Sequence, residues 1–587
     1  MLTILAIVPL IAAALISAAM HKRPKKIRYI ALAASIISLA LIILSYYNAS
    51  QLQSLAWFSF GNSIFAITTS TAPLNMVLLL ILGIMTPLII TYSIGFMRVP
   101  SEQSRYYSEL CIFTAAMMLF AMSADFLTMF VGWEILGVTS YLLIGFWYRR
   151  EGTAEAARKA ITIMLIGDVL MLAAMFIIWG TYNSFSFSVL LQHANAPSPF
   201  VEVALLFIIF AVFTKSAQFP FHEWLPDAMK GPTPVSAFLH SSTMVKAGIF
   251  LIAVLLPIFI AYNLLNIMLA FGIITVILAV TNALSSLHIK RVLAYSTLED
   301  LGLMFIALGS GSLIAAMMLF VAQTFYKALL FMCTGSIIKS NDGEEDLTKI
   351  RNWTSSLNIF IPTMIAVVSL AGLFPLSGFF GKVAIESAAG NSTLYIALVA
   401  IAFFSNIYIF RWLFLPLNKK EEKSQAGSTY EYRLLPKSML IPIYVLAILV
   451  PLASLTYIYL PGFLSVKGQA ITITEVAASV AVVAAGLLVS YFMFYKGRRV
   501  ATTGIAYKIL HNNPVVNGFY SYFAAAMAAI SAAIDGFDYG LYDIFKAGGR
   551  GIGAFANLLK RMENGSVNAY IAALLIGLIL IAIILIV

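Results

Sequence analysis

Apolar runs of about 18 residues or more, long enough to cross a bilayer, recur from one end of this 587-residue chain to the other. Hydrocarbon offers the backbone no hydrogen-bond partner, so a spanning segment must be a helix or part of a closed barrel. Barrel strands read as short alternating segments of about ten residues, and the sequence shows none. Only 10% of the residues are charged, against roughly 25% in soluble domains. The fold class is therefore an all-α polytopic membrane protein. The apolar windows predict sixteen spans, near 2–20, 29–47, 73–97, 109–122, 126–147, 160–180, 200–218 and 233–257. They continue near 262–284, 291–309, 312–338, 356–390 (interrupted), 393–416, 438–460, 471–495 and 568–587. The first run lacks a basic leader and a small-residue cleavage site, and is read as a retained helix.

The formal net charge of +11 invites a nucleic-acid reading, but the placement of the bases gives a different one. Of 36 Lys and Arg, 26 fall in alternate connections, and the opposite connections hold only Lys467. By the positive-inside rule the basic loops face the cytoplasm and both termini face outward. Two cysteines, Cys111 and Cys333, stand far apart in apolar runs, too few for an iron–sulfur or zinc site. No Walker A pattern or Gly-rich dinucleotide loop is present. No cofactor is expected in this chain, and redox or ATP chemistry would belong to another.

Seven ionisable residues break the apolar pattern away from the ends of the spans: Glu134, Asp168, Lys215, Lys246, Lys327, Lys382 and Arg411. Each costs about 2.5–3.5 kcal/mol on insertion scales, roughly 20 kcal/mol for the set. Such a cost is retained where water, partner charges or a transported ion reach those positions. Two proline-broken helices add to this reading. One runs Phe213-Thr-Lys-Ser-Ala-Gln-Phe-Pro220, with Lys215 before the break. The other runs Gly372-Leu-Phe-Pro-Leu-Ser-Gly-Phe-Phe-Gly-Lys382, with Lys382 after it. Corresponding interrupted helices in two halves point to inverted-topology repeats around a transport site. The competing reading of each buried charge is a structural ion pair that fixes helix packing.

The predicted organisation is N-terminal spans over 1–108, a first repeat over 109–258 with its break at 213–230, and a second over 259–416 with its break in 356–390. Additional spans occupy 417–513. Residues 514–563 are helix-compatible but carry seven glycines and many charges. They are too polar to span, and are read as a lateral amphipathic helix on the cytoplasmic face. Residues 564–587 form a terminal anchor.

Four stretches carry a family resemblance. Val131-Gly-Trp-Glu-Ile-Leu-Gly-Val-Thr-Ser-Tyr-Leu-Leu-Ile-Gly-Phe146 resembles the glutamate-bearing helix of the antiporter-like subunits of complex I-type oxidoreductases. Lys215-Ser-Ala-Gln-Phe-Pro-Phe-His-Glu-Trp-Leu-Pro-Asp-Ala-Met-Lys-Gly-Pro-Thr-Pro-Val-Ser-Ala237 is similar to that family's signature. Ile289-Lys-Arg-Val-Leu-Ala-Tyr-Ser-Thr297 and Phe325-Tyr-Lys-Ala-Leu-Leu-Phe331 fit the same pattern. The lateral helix with its anchor resembles the distal L-type (mitochondrial chain 5-type) branch.

The resemblance implies a proton-translocating subunit of a quinone oxidoreductase fed by NADH, reduced deazaflavin or ferredoxin, with no redox centre of its own. Its partners would be M- and N-type membrane subunits, the lipid bilayer and, indirectly, a peripheral redox arm. It implies a Glu134–Lys215 pair tuned by Asp168, with His240 linking onward to Lys327 as the central lysine and Lys382 as the distal one. Lys246, counted along one continuous helix, falls on a different face from His240. Arg411 is expected to pair with a carboxylate or to line water. Glu299 and Asp300 replace residues that are commonly neutral in the family, and read as a cytoplasmic proton entry or a hydrated helix end. Gln323 stands where relatives tend to have histidine, and Leu165 and Val383 stand where they carry arginine and aspartate. Glu386, one turn after Lys382, is the expected substitute for that aspartate. A sodium/proton antiporter subunit and a membrane subunit of an energy-converting hydrogenase are the alternative functions. The compact loops suit a prokaryotic plasma membrane.

Overall fold

A computed structural model of the chain describes residues 2–20, 24–48, 52–60, 63–350, 357–417, 435–468 and 470–496. The chain divides into two units, Met1–Gly504 and Ile505–Val587. The predicted lateral helix over 514–563 and the anchor over 564–587 lie outside the described residues.

The first unit opens with α1 (Leu2–Leu5), α2 (Val8–Ala19) and α3 (Pro24–Asn48). An antiparallel hairpin follows, β1 (Leu52–Phe60) and β2 (Ser63–Ser70), with Phe60 opposite Ser63. This corrects the purely helical expectation. The sequence signal was the Gly61-Asn62 dipeptide between two β-prone runs, a pairing favoured in two-residue hairpin turns.

Next come α4 (Pro73–Phe96), α5 (Pro100–Met122), α6 (Phe126–Ile144), α7 (Thr153–Tyr182), α8 (Phe187–Gln192) and α9 (Pro199–Lys215). The first broken helix continues through α10 (Trp224–Asp227) into α11 (Thr233–Ser241) and α12 (Met244–Ala261). Then follow α13 (Leu265–Ser285), α14 (Ile289–Gly309) and α15 (Leu313–Ser340). The second broken helix is α16 (Leu357–Ala371) with α17 (Ser377–Ser387). The described part closes with α18 (Ser392–Leu417), α19 (Lys437–Leu452), α20 (Thr456–Phe463) and α21 (Ile473–Ser490). Several of these helices start on proline, among them α4, α5 and α9, where a missing N–H costs nothing.

Among the described residues, eleven helices are long and apolar enough to cross a membrane, and two shorter apolar helices accompany them. One of the sixteen expected spans, 568–587, lies outside the described residues, and four others are not among the eleven. The physical reasons are local. α5 carries Glu102, Arg105 and Glu109 in its first half, and α9 ends at 17 residues because the chain breaks after Lys215. The prediction of one helix over 233–257 is also corrected, because the chain leaves helical geometry at Ser242 and Thr243.

α14 and α15 form the centre, their apolar windows 94% buried, whereas α21 is only 17% buried. Two close approaches position the interior. A Cβ on Gly302 of α14 would stand 3.0 Å from the Gly272 carbonyl oxygen of α13. A Cβ on Gly167 of α7 would overlap Thr214 and stand 3.0 Å from the Ala211 carbonyl oxygen of α9. Glycine at these two positions lets α14 and α7 press against their neighbours, setting the reach of Glu299, Asp300 and Asp168.

Candidate functional site

Lys215 occupies the last turn of α9, where a cation complements the helix dipole. Its ammonium is fully buried. It donates to the Trp133 carbonyl at 2.5 Å and lies 4.0 Å from the Trp133 ring centroid. Asp168 Oδ1 is 3.4 Å away and also accepts from Trp133 Nε1 at 2.7 Å. Of the two expected carboxylate partners, Asp168 is the one in ion-pair contact with Lys215. Glu134 is half-buried on α6, its Oε1 has no hydrogen-bond partner among the described residues, and it acts on Lys215 through space. The reason is helical geometry. Consecutive residues on α6 diverge by about 100°, so Trp133 faces Lys215 while Glu134 turns toward the side that carries exposed Ile135 and Val138.

His240 closes α11 and is completely buried. Its ring stacks at 5.5 Å on Phe331, and neither ring nitrogen has a hydrogen-bond partner among the described residues. Gln323 of α15 donates to the His240 carbonyl at 3.1 Å, which ties the break after α11 to the central helix. That break redirects α12, so the single-helix argument that set Lys246 apart does not hold. Lys246 reaches α15, donating to the Phe320 carbonyl at 2.5 Å and to Thr324 Oγ1 at 2.6 Å. Thr324 lies one turn before Lys327 on the same helix.

Lys327 donates to Ser296 and is 3.2 Å from Asp300 Oδ2, which Tyr326 also engages through its hydroxyl at 3.0 Å. Lys382, on the first turns of α17, donates at 2.7 Å to the Leu370 carbonyl left free where α16 ends. Its nearest carboxylate is Glu299 at 3.9 Å, and Glu299 accepts from Ser405 at 2.6 Å and Tyr408 at 2.5 Å. Two expectations change here. Glu299 and Asp300 are at most 1% exposed, so they are interior counter-ions and not a hydrated helix end. Glu386 lines a small cavity with Lys382, Gly372, Asn406 and Ser479, but Glu299 supplies the ion pair. Val383, at the usual aspartate position, is packed in the core.

Arg411 of α18 is buried. It donates to the Ala283 carbonyl at 3.2 Å and to the Ser286 carbonyl, both at the C-terminal end of α13, where a cation complements the helix dipole. Sequence reasoning missed Trp133, Ser296, Tyr326, Ser405 and Tyr408 as partners. Ser405, Tyr408 and Arg411 recur every third residue on α18, a polar stripe that could have flagged a buried face. Among the described residues no group of three or more His, Cys, Asp or Glu is disposed to hold a metal.

Comparison with known proteins places this arrangement. Residues 123–409 match the family described as NADH:quinone oxidoreductase/Mrp antiporter, transmembrane. The F(420)H(2) dehydrogenase subunit L of Methanosarcina mazei is 33% identical over 465 residues, 71% of this chain and 68% of that protein. The chain belongs to this family. The chloroplastic NAD(P)H-quinone oxidoreductase subunit 5 of Chara vulgaris is 30% identical over 553 residues, covering 86% of this chain and 83% of that relative. The family assignment thus extends well beyond the 123–409 core. Of three further subunit 5 or chain 5 relatives, the chain spans 57%, 62% and 60% of their length. The fold is shared with a chain of the Mrp complex from Dietzia sp. DQ12-45-1b, at a TM-score of 0.74 and 22% identity over 100% of this chain and 63% of that one. It is also shared with a chain of the membrane-bound sulfane sulfur reductase, an archaeal respiratory membrane complex, at a TM-score of 0.68 and 20% identity. That match covers 82% of this chain and 99% of the other.

Proposed function

We propose that this chain is a proton-translocating membrane-arm subunit of a complex I-type quinone oxidoreductase, driven by electron transfer in other subunits. One observation carries the reading: three buried lysines, Lys215, Lys327 and Lys382, each stand within 4 Å of a buried carboxylate. Burial disfavours the ammonium and the carboxylate favours it, so small movements of a partner charge switch the proton affinity of each amine. Among the described residues, Gln218 Oε1, both His240 ring nitrogens, Gln323 Oε1 and Asp300 Oδ1 are buried without a hydrogen-bond partner. Buried polar atoms are seldom left unbonded, and a proton-conducting interior meets that need.

In this account Glu134 and Asp168 set the charge state of Lys215, His240 and Lys246 carry the path toward Lys327, and Lys382 with Glu386 serves the distal end. The two broken helices belong to inverted repeats over 109–258 and 259–416. The chain sits in a prokaryotic plasma membrane with both termini outside, beside M- and N-type subunits.

The test is the native complex reconstituted in liposomes with Lys215→Met, reading lumen acidification per electron transferred. Lys215→Met removes the acid–base group, and a lowered proton-to-electron ratio is expected. Unchanged acidification by an assembled complex sinks the proposal.

A further inference from the structure

We propose that the consecutive carboxylates Glu299 and Asp300 of α14 join the central and distal lysines into one proton-exchanging unit. The inference rests on the relay reading above and adds to it two residues that the family pattern does not supply. Neighbouring residues on a helix diverge by about 100°, so a single turn of α14 sends one carboxylate to Lys327 on α15 and the next to Lys382 on α17. Asp300 Oδ2 is 3.2 Å from Lys327 Nζ, and its Oδ1 is buried without a hydrogen-bond partner among the described residues. Glu299 is fixed by Ser405 and Tyr408 and stands 3.9 Å from Lys382 Nζ. Lys246 also acts on Asp300 through space, so three of the buried lysines address this one dipeptide.

Two adjacent carboxylates inside a membrane protein repel, and like charges this close disfavour joint ionisation. With both lysines protonated, both carboxylates are held as anions. When Lys327 gives its proton to Asp300, an amine and a carboxylic acid replace the ion pair. Asp300 then passes that proton to the Glu299 carboxylate and returns to its anionic form. Glu299 delivers it to Lys382, provided that amine has already discharged outward. Each step breaks one N–H or O–H bond and forms another, and the net result is one proton moved from Lys327 to Lys382. Ser405 and Tyr408 are positioning residues for Glu299.

The experiment uses the intact complex in liposomes with Asp300→Asn, Glu299→Gln, the double variant, and Lys327→Met as reference. Each neutral variant is expected to lower lumen acidification per electron by about tenfold or more. The double variant should be no worse than either single one, because both lie on one path. Asp300→Glu and Glu299→Asp should restore part of the activity with a displaced pH–rate profile. If the neutral variants fail to assemble, these charge-retaining variants decide: a displaced profile supports the unit, and the wild-type profile overturns it. Normal acidification in assembled Asp300→Asn and Glu299→Gln, with Lys327→Met inactive, overturns the inference and leaves the relay standing. Normal acidification in all of them removes the relay itself.

Discussion

Arg411 and Lys327 are both cations with almost no exposed surface, and their surroundings give them opposite uses. Arg411 spends its guanidinium on carbonyls at the end of α13, and arginine does not release its proton in proteins. Replacing it with alanine leaves those carbonyls unbonded, at a cost of about 2–3 kcal/mol. The melting temperature of the purified complex should fall accordingly, while assembled molecules keep their proton-to-electron ratio; a lowered ratio would assign Arg411 to the relay. Outside the spans, Glu345 offers a pH test. Burial raises its carboxyl, but the hydrogen bonds and charges of His288 and Lys290, at 2.8 and 2.7 Å, hold it down at about 2. Its unfolded value is near 4.3, so its contribution to stability is present above that pH and lost as pH falls toward 2. Glu345 is a third exposed, so the effect is small, under about 1 kcal/mol. Melting curves from pH 5 to 3 should fall less steeply in Glu345→Gln than in the wild type; parallel curves would contradict this. Residue identity was legible where a charge interrupts a long apolar run, as at Lys215 and Lys382. It was not legible at Glu299 and Asp300, which stand midway along α14, because adjacent carboxylates suggested hydration and only tertiary packing reveals their burial.

At the scale of elements, the proline breaks were readable because Pro220 and Pro375 remove backbone donors inside apolar runs. The interruption between α11 and α12 was not, since Ser242 and Thr243 are compatible with a helix and their departure depends on neighbours. The hairpin of β1 and β2 was not legible in hydropathy, because its strands lie between the apolar runs. Helix approach decides whether the ion pairs form. Gly302→Val should push α14 away from α13, costing about 1–3 kcal/mol. It should also lower acidification by lengthening the reach of Asp300 to Lys327. Gly302→Ala should do less of both, and a Val variant with wild-type melting temperature and pumping would contradict the packing argument. Gly167→Val makes the same test for the Asp168–Lys215 pair.

For the whole molecule, the sequence carried the class, the two breaks and the order of the buried lysines, while the pairing of each lysine came from how α7, α14 and α17 pack. The described fold places fully buried amines beside carboxylates on the central helices, and their interpretation as a working relay depends on those amines losing and regaining protons. Lys327→Arg isolates that requirement. Arginine keeps the positive charge beside Asp300 but cannot discharge at any working pH. The decisive measurement is lumen acidification per electron by the assembled Lys327→Arg complex. The relay account predicts that it collapses while electron-input chemistry survives; acidification at the wild-type ratio would show that Lys327 needs only its charge, contradicting the account.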